Sequence, residues 1–568
     1  MSTEFFTEHR QLLDKALAAI ASRGFFAAYP EIPSGKIYGE TAKKDGQATF
    51  EGYLGSIFSL EQGDVSSTST VGDEVSPYGI EIKTQYPNVD IDSLMANIEA
   101  ACPPWRNASV ETRVGCALEI LHRLNQRSFE MAFAVMHTTG QGFMMAFQAG
   151  GPHAQDRGLE AVAYAYKAMN ECPTQATWRK QVGRDEFVTL DKTFKIIPRG
   201  IGLVIGCSTF PTWNTYPGLF ASLVTGNAVI VKPHPSAILP LAITVEICQA
   251  VLREAGFDPN LVTLVADSKD APKTKQLVEH PKVNIIDYTG GTGFGNWVEA
   301  NAGNAVVYTE KAGVNSVIID SVEQMKPVSG NLAFSLCLYS GQMCTTPQNI
   351  FVPKDGIETA DGHMSFDEVA SAIVKGVDWM LSDQGRANEV LGAIANQATA
   401  DRVDQAGGGE FSGEVLRDGE AIEHAMFPKA RTRSIKILQT NAADLATFEQ
   451  EMFGPLVYIV ATESTDQSIE LASSIAAQHG AISCGLYSTD EQVIDKAVDA
   501  MSLAGVPVSC NLVGNIWVNQ SAAFSDFHVS GANPAGNATL SDTAFVVGRF
   551  NVVQCRTFVP EPQKVEAS

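Results

Sequence analysis

At 568 residues the chain is too long for one hydrophobic core and is expected to divide into two or three domains. Its 45% hydrophobic and 18% charged content is that of a globular protein rather than a disordered one, and a net charge of -24 argues against nucleic acid or an anionic membrane as partner, since both need basic patches. The ten cysteines show no C-x-x-C spacing, so reduced thiols are expected, with no disulfide framework and no metal site. The polar N-terminus carries Glu4, Glu8 and Asp14 and lacks the layout of a signal peptide. No apolar run reaches the roughly 20 residues that span a bilayer, so the cytoplasm is the expected compartment.

In chain order, Phe5 to Ala21 has helical apolar spacing. Prolines and glycines then break the chain, and Gln62 to Pro77 reads as loop, so residues 1–85 are set apart as an extension of unassigned role, a cap or an oligomer contact. Asp92 to Gln155 is mostly helical, and Asp156 to Met169 is a further helix. Arg179 to Pro198 alternates in the manner of a hairpin. The rhythm then becomes strand–helix–strand: Gly202–Gly206, Ala228–Val231 ending on Lys232, Val262–Val265 and Val283–Asp287 as strands, with Tyr216–Leu223, Leu239–Ala255 and Lys273–Glu279 as helices. That alternation predicts a parallel, helix-covered sheet with its ligand beyond the carboxyl ends of the strands. A second α/β region runs from about Val306 to Val518, and Phe545 to Val559 has strand-like spacing.

The strongest local signal is Tyr339-Ser340-Gly341-Gln342-Met343-Cys344, whose Cys lies 34 residues after Glu310. An aldehyde gives up a hydride only after its carbon becomes tetrahedral and its oxygen anionic. A thiolate supplies that addition and later leaves from a thioester. Gly341 permits an unusual backbone just before the nucleophile, the N–H of Cys344 is placed to donate to the oxyanion, and Glu310 is suited to deprotonate the deacylating water.

These residues, with Thr225-Gly226-Asn227 before Ile230-Val231-Lys232-Pro233, Tyr288-Thr289-Gly290-Gly291-Thr292 through Gly295, Glu451-Met452-Phe453-Gly454-Pro455, and Gly514 to Asn519 as a late strand, resemble the aldehyde dehydrogenase superfamily over roughly Trp105 to Val559. The resemblance implies an α/β fold with a Rossmann-type cofactor domain (86–178 and 199–309), a catalytic domain (310–519) carrying Glu310 and Cys344, and a small β oligomerisation element (179–198 and 520–568). It implies that Lys232 contacts the adenosine ribose, that Gly290, Gly291 and Gly295 serve the pyrophosphate turn, and that Glu451 and Phe453 meet the nicotinamide ribose and ring. Pro235 stands where the family commonly places the acid that grips the ribose, which favours NADP over NAD as cofactor.

Two departures stand out. Counting back from Lys232 puts Thr209 where the family has its oxyanion Asn, with Asn214 as the alternative, and the loop after Glu310 reads Lys311-Ala312-Gly313-Val314. The long N-terminus, Thr139 to Gln148 and Ser208 to Asn214 resemble the phenylacetic-acid-degradation aldehyde dehydrogenases. That implies a ring-opened, CoA-linked semialdehyde in aromatic catabolism and no following hydratase domain. A CoA-acylating enzyme and a catalytically silent member with a binding role are the alternatives. A homodimer or higher homo-oligomer is expected from the hairpin and the C-terminal strand.

Overall fold

The computed structural model describes residues 2–62 and 69–560. Part of the expected loop Gln62–Pro77 and the end of the expected C-terminal element, residues 561–568, lie outside the described residues.

Five parallel strands form the first sheet, in the spatial order Val262–Leu264, Ala228–Lys232, Ile201–Ile205, Val283–Thr289, Val306–Glu310. Every residue of Ile201–Ile205 and Ala228–Lys232 is buried, as expected of short apolar runs covered by helices on both faces. In register, Val204 stands between Val231 and Asp287. The strand order reverses at Ile201–Ile205, so the crevice at the carboxyl ends there is the natural ligand site of such a sheet. Glu310 is the last residue of the fifth strand.

The second sheet has seven strands, ordered Glu414–Arg417, Lys436–Asn441, Leu456–Thr462, Asn349–Pro353, Ser316–Ile319, Cys484–Tyr487, Val508–Cys510, and only the first is antiparallel. A separate antiparallel sheet joins Gln175–Gln181 and Phe187–Pro198 to Phe550–Val559, and much of its surface is exposed. Among the described residues, no helix is long and apolar enough to cross a membrane.

The structure differs from four expectations. The first segment shares the main core: Leu13 and Ala16 of the helix Ser2–Ser22 are buried in one cluster with Leu118, Leu121 and Val162. The hairpin begins at Gln175, not Arg179, and the spacing read as a strand from Phe545 starts with the helix Thr543–Val547. Gly514 to Asn519 is not a strand, and Gly514 adopts φ +74°. Asn519 nonetheless anchors that loop, its amide donating to the Ser335 carbonyl at 3.1 Å.

Asp156, on the helix Pro152–Asn170, ties the N-terminal segment down by accepting the Ala28 N–H at 2.9 Å. Burial pushes its carboxyl from an ordinary 3.8 up to about 8, against the pull of the Ala28 and Tyr29 N–H groups. The folded chain therefore keeps a proton that the unfolded chain releases above about pH 4. The stability from that proton is complete below about pH 4 and is lost as pH rises towards about 8. Asp156→Asn keeps the shape of the neutral form, so between about pH 5 and about pH 8 the wild-type thermal midpoint is expected to fall relative to that of the variant. Parallel pH dependences in a thermal-unfolding series would contradict this.

Candidate active site

Cys344 follows the helix Met325–Cys337 through a turn in which Tyr339, Ser340 and Gly341 take φ of 53°, 50° and +64° in succession. Three left-handed residues in a row are costly and need external support. The Tyr339 hydroxyl donates to the Thr139 carbonyl at 2.6 Å, and the Ser340 hydroxyl to the carbonyls of Leu391 and Arg433 at 3.1 and 3.0 Å. A Cβ on Gly341 would sit 2.5 Å from the Gly454 carbonyl, so the glycine anticipated before the nucleophile is required by close approach as well as by φ. Asn315, which the sequence did not single out, donates to the Cys344 carbonyl at 2.7 Å while its own oxygen accepts the N–H groups of Ile482 and Ser483. Burial, then Glu310, pushes the Cys344 thiol well above its ordinary range.

Glu310 is buried and held from two sides. Its Oε2 accepts from the Asn214 amide at 2.8 Å, and its Oε1 lies 2.9 Å from His528 Nε2. The same Nε2 is 3.7 Å from Cys344 Sγ, and the three donor atoms lie within 4.8 Å of one another. Trp213 packs edge-on against the imidazole, with ring centroids 4.6 Å apart. Nothing in the sequence marks His528, a lone histidine in a loop with no motif around it.

The two oxyanion candidates face different partners. The helix Pro211–Val224 begins immediately after Phe210, so Asn214 sits on its first turns and reaches the Glu310 carboxylate without any shifted loop. Thr209 is turned away: its carbonyl accepts from the Gln141 amide at 2.7 Å, and its N–H and hydroxyl face the sulfur of Cys207. Cys207 is a second thiol near the site, 3.5 Å from Asn214 Oδ1 and pushed by burial up to about 11.

On the cofactor side, Lys232 ends its strand as expected but is already paired. Its Nζ donates to Asp267 Oδ1 at 2.7 Å and to the Pro233 carbonyl at 2.6 Å, and it is 1% exposed. Pro235 lies in the half-buried turn that follows. Of the three glycines, Gly291 alone faces open space. A Cβ on Gly290 would be 2.5 Å from the Tyr288 hydroxyl, and one on Gly295 2.6 Å from Lys311, so both make room for neighbouring side chains. Gly291 caps the helix Thr292–Asn301, which has no side-chain cap and no acidic residue in its first turn. Free N–H groups and a positive dipole end beside an open glycine fit a pyrophosphate. Glu451 and Phe453 belong to the segment whose Gly454 carbonyl closely approaches Gly341. Burial raises the Glu451 carboxyl to about 7 against Arg402, and Arg402 also donates to the Phe453 carbonyl at 2.8 Å.

Cys344, Asn214 and His528 open onto a cavity of about 610 Å³. Its wall is rich in aromatic and sulfur side chains, among them Phe26 from the N-terminal segment, Met144, Phe210, Trp213, Phe334 and Trp517. Among the described residues no Lys or Arg lines it, whereas Glu31, Asp156 and Glu389 do. The wall's imidazole other than His528 is that of His153, which is bonded to Glu31 at 2.8 Å.

The sequence pattern of the aldehyde dehydrogenase family matches residues 66–538. This chain belongs to the aldehyde dehydrogenase family, and is an oxidoreductase. It is 27% identical over 412 residues, 71% of this chain and 77% of the relative, to an N-succinylglutamate 5-semialdehyde dehydrogenase of Paraburkholderia xenovorans (strain LB400). Among solved structures it is similar to an NAD-dependent aldehyde dehydrogenase from Burkholderia multivorans, with TM-score 0.95, 53% identity, and coverage of 98% of this chain and 99% of that one. A 1-pyrroline-5-carboxylate dehydrogenase from Thermus with bound NAD shares the fold at TM-score 0.72 and 16% identity, covering 94% of this chain and 99% of its own.

Proposed function

We propose that this enzyme oxidises a neutral, largely apolar aldehyde to its carboxylic acid by the hydrolytic route. Cys344 adds to the carbonyl carbon, the Cys344 N–H and the Asn214 amide receive the oxyanion, and Glu310 takes the proton of the water that releases the acid. The nicotinamide, when bound, supplies the hydride acceptor. The observation that carries the reading is the convergence of three groups: Cys344 and Asn214 line one cavity, and Glu310 lies behind them, bonded to the Asn214 amide and close to the Cys344 sulfur. A held, buried carboxylate beside the thiol supports water as the acyl acceptor over a free thiol, and an intact constellation supports catalysis over a silent role.

For the cofactor we favour NAD over the NADP suggested by Pro235. Asp267 brings a carboxylate to the strand ends from the neighbouring segment, and the 53%-identical protein from Burkholderia multivorans is an NAD-dependent aldehyde dehydrogenase. The CoA-linked semialdehyde of phenylacetate catabolism carries negative charge that the cavity wall does not meet with any Lys or Arg, and the same holds for anionic semialdehydes in general.

The test is turnover, followed as reduced-cofactor absorbance, with NAD and NADP and a panel of neutral aromatic and aliphatic aldehydes set against carboxylate-bearing and CoA-linked semialdehydes. The expected result is a kcat/KM at least about tenfold higher for the neutral set, the worth of roughly one unpaired charge or polar group. A preference for the anionic set would overturn the substrate class, and no reduction with any aldehyde would overturn the function.

A further inference from the structure

We infer that His528 is a catalytic residue of this enzyme, the group that takes the proton of Cys344 and holds the sulfur as a thiolate. The inference rests on the proposed reaction for its kinetic consequence only. Its basis is where the ring directs its nitrogens. Nε2 is 2.9 Å from Glu310 Oε1 and 3.7 Å from Cys344 Sγ, so one atom serves both the base and the nucleophile. Nδ1 is buried and meets no protein partner among the described residues. A histidine kept for packing uses both nitrogens where it can. Here every polar contact of the ring faces the reacting atoms, and Trp213 fixes the ring plane from the side.

The charges around the sulfur give the reason for a histidine. Cys344 faces Glu310, Glu451, Cys207 and His528. Glu310 and Glu451 are carboxylates, and together with burial they oppose a thiolate. The imidazole touches Sγ and can carry a positive charge; the Arg157 guanidinium lies over the Trp213 ring, 5.1 Å from its centroid. A thiolate needs such a cation beside it. In the step, with the ring's own proton on Nδ1, the S–H bond of Cys344 breaks and an N–H bond forms at Nε2, while the bonding pair stays on sulfur and becomes the pair that attacks the carbonyl carbon. The new Nε2–H points between Sγ and Glu310 Oε1, and Glu310, pinned by Asn214, stabilises the imidazolium. When sulfur later leaves the acyl carbon, the proton can return along the same 3.7 Å contact.

The test measures the thiol without any aldehyde. Wild type, His528→Gln and His528→Asn are alkylated with iodoacetamide across pH, and modification of the Cys344 peptide is timed by mass spectrometry. In both variants the midpoint of the profile is expected to rise by about one pH unit or more, with alkylation at neutral pH slowed at least about tenfold. The hydride burst should slow in parallel, with KM changed less than about threefold. Added imidazole should restore part of the rate in His528→Gly. Unshifted profiles in folded variants, with thermal midpoints close to wild type, would overturn the inference. Because alkylation needs no substrate, that failure is distinct from a failure to oxidise any aldehyde.

Discussion

Cys344→Ala is expected to lower kcat by at least about 10⁴-fold, because no other group at the cavity mouth can form and release the acyl intermediate. Cys207 does not substitute for it: its sulfur is directed at Asn214, and burial holds it as a thiol near 11. Glu310→Gln is expected to fail at a different step. The carboxamide still accepts from Asn214, but it does not take a proton from water. One equivalent of reduced cofactor should therefore form in a burst, followed by steady turnover slowed about 10²- to 10⁴-fold. Rapid-mixing absorbance distinguishes the two variants. Equal loss of burst and turnover in Glu310→Gln would mean that the carboxylate is needed before hydride loss.

Arg549→Leu is expected to be the most destabilising single change on the cofactor side of the molecule. Arg549 leads into the C-terminal strand and is fully buried. Its guanidinium grips Asp287 of the central sheet with contacts of 2.5 and 2.7 Å, donates to the Ser222 hydroxyl at 2.8 Å, and lies over the rings of Tyr308 and Phe545. Its carbonyl accepts from the Asn227 amide at 3.1 Å. Removing one partner of a buried pair strands the other charge, a loss of about 3–5 kcal/mol. Arg549→Leu should lower the urea unfolding midpoint accordingly, and Arg549→Leu with Asp287→Leu should recover much of the loss, because the stranded carboxylate is gone. A single variant within about 1 kcal/mol of wild type would show that the pair contributes no more than a surface bridge.

The parallel sheet was legible because its strands are short apolar runs closed by polar residues or glycine, the form that burial on both faces imposes. Cys344 and Glu310 were legible from a local motif and a separation. The rest of the site depends on contacts between distant segments. His528 lies 218 residues from Glu310 in a loop that carries no pattern, so only folding shows that its ring faces the thiol. Thr209 was preferred to Asn214 by counting from Lys232, and counting does not reveal that a helix starts at Pro211. Lys232 was placed correctly at its strand end, but its partner Asp267 belongs to another segment, and a strand-end lysine looks the same whether paired or free. At Phe545 three apolar residues in the turn-long helix Thr543–Val547 mimic strand spacing, since one helical turn is too short to show its period.

The central claim is that the acyl group passes through the sulfur of Cys344 and is released by the Glu310-activated water. The most direct measurement is the mass of the Cys344 peptide from Glu310→Gln, quenched in acid after mixing with cofactor and the best aldehyde of the panel. The expected result is a peptide heavier by the acyl group, in amount equal to the hydride burst and lost on treatment with hydroxylamine. A hydride burst with Cys344 left unmodified would contradict it.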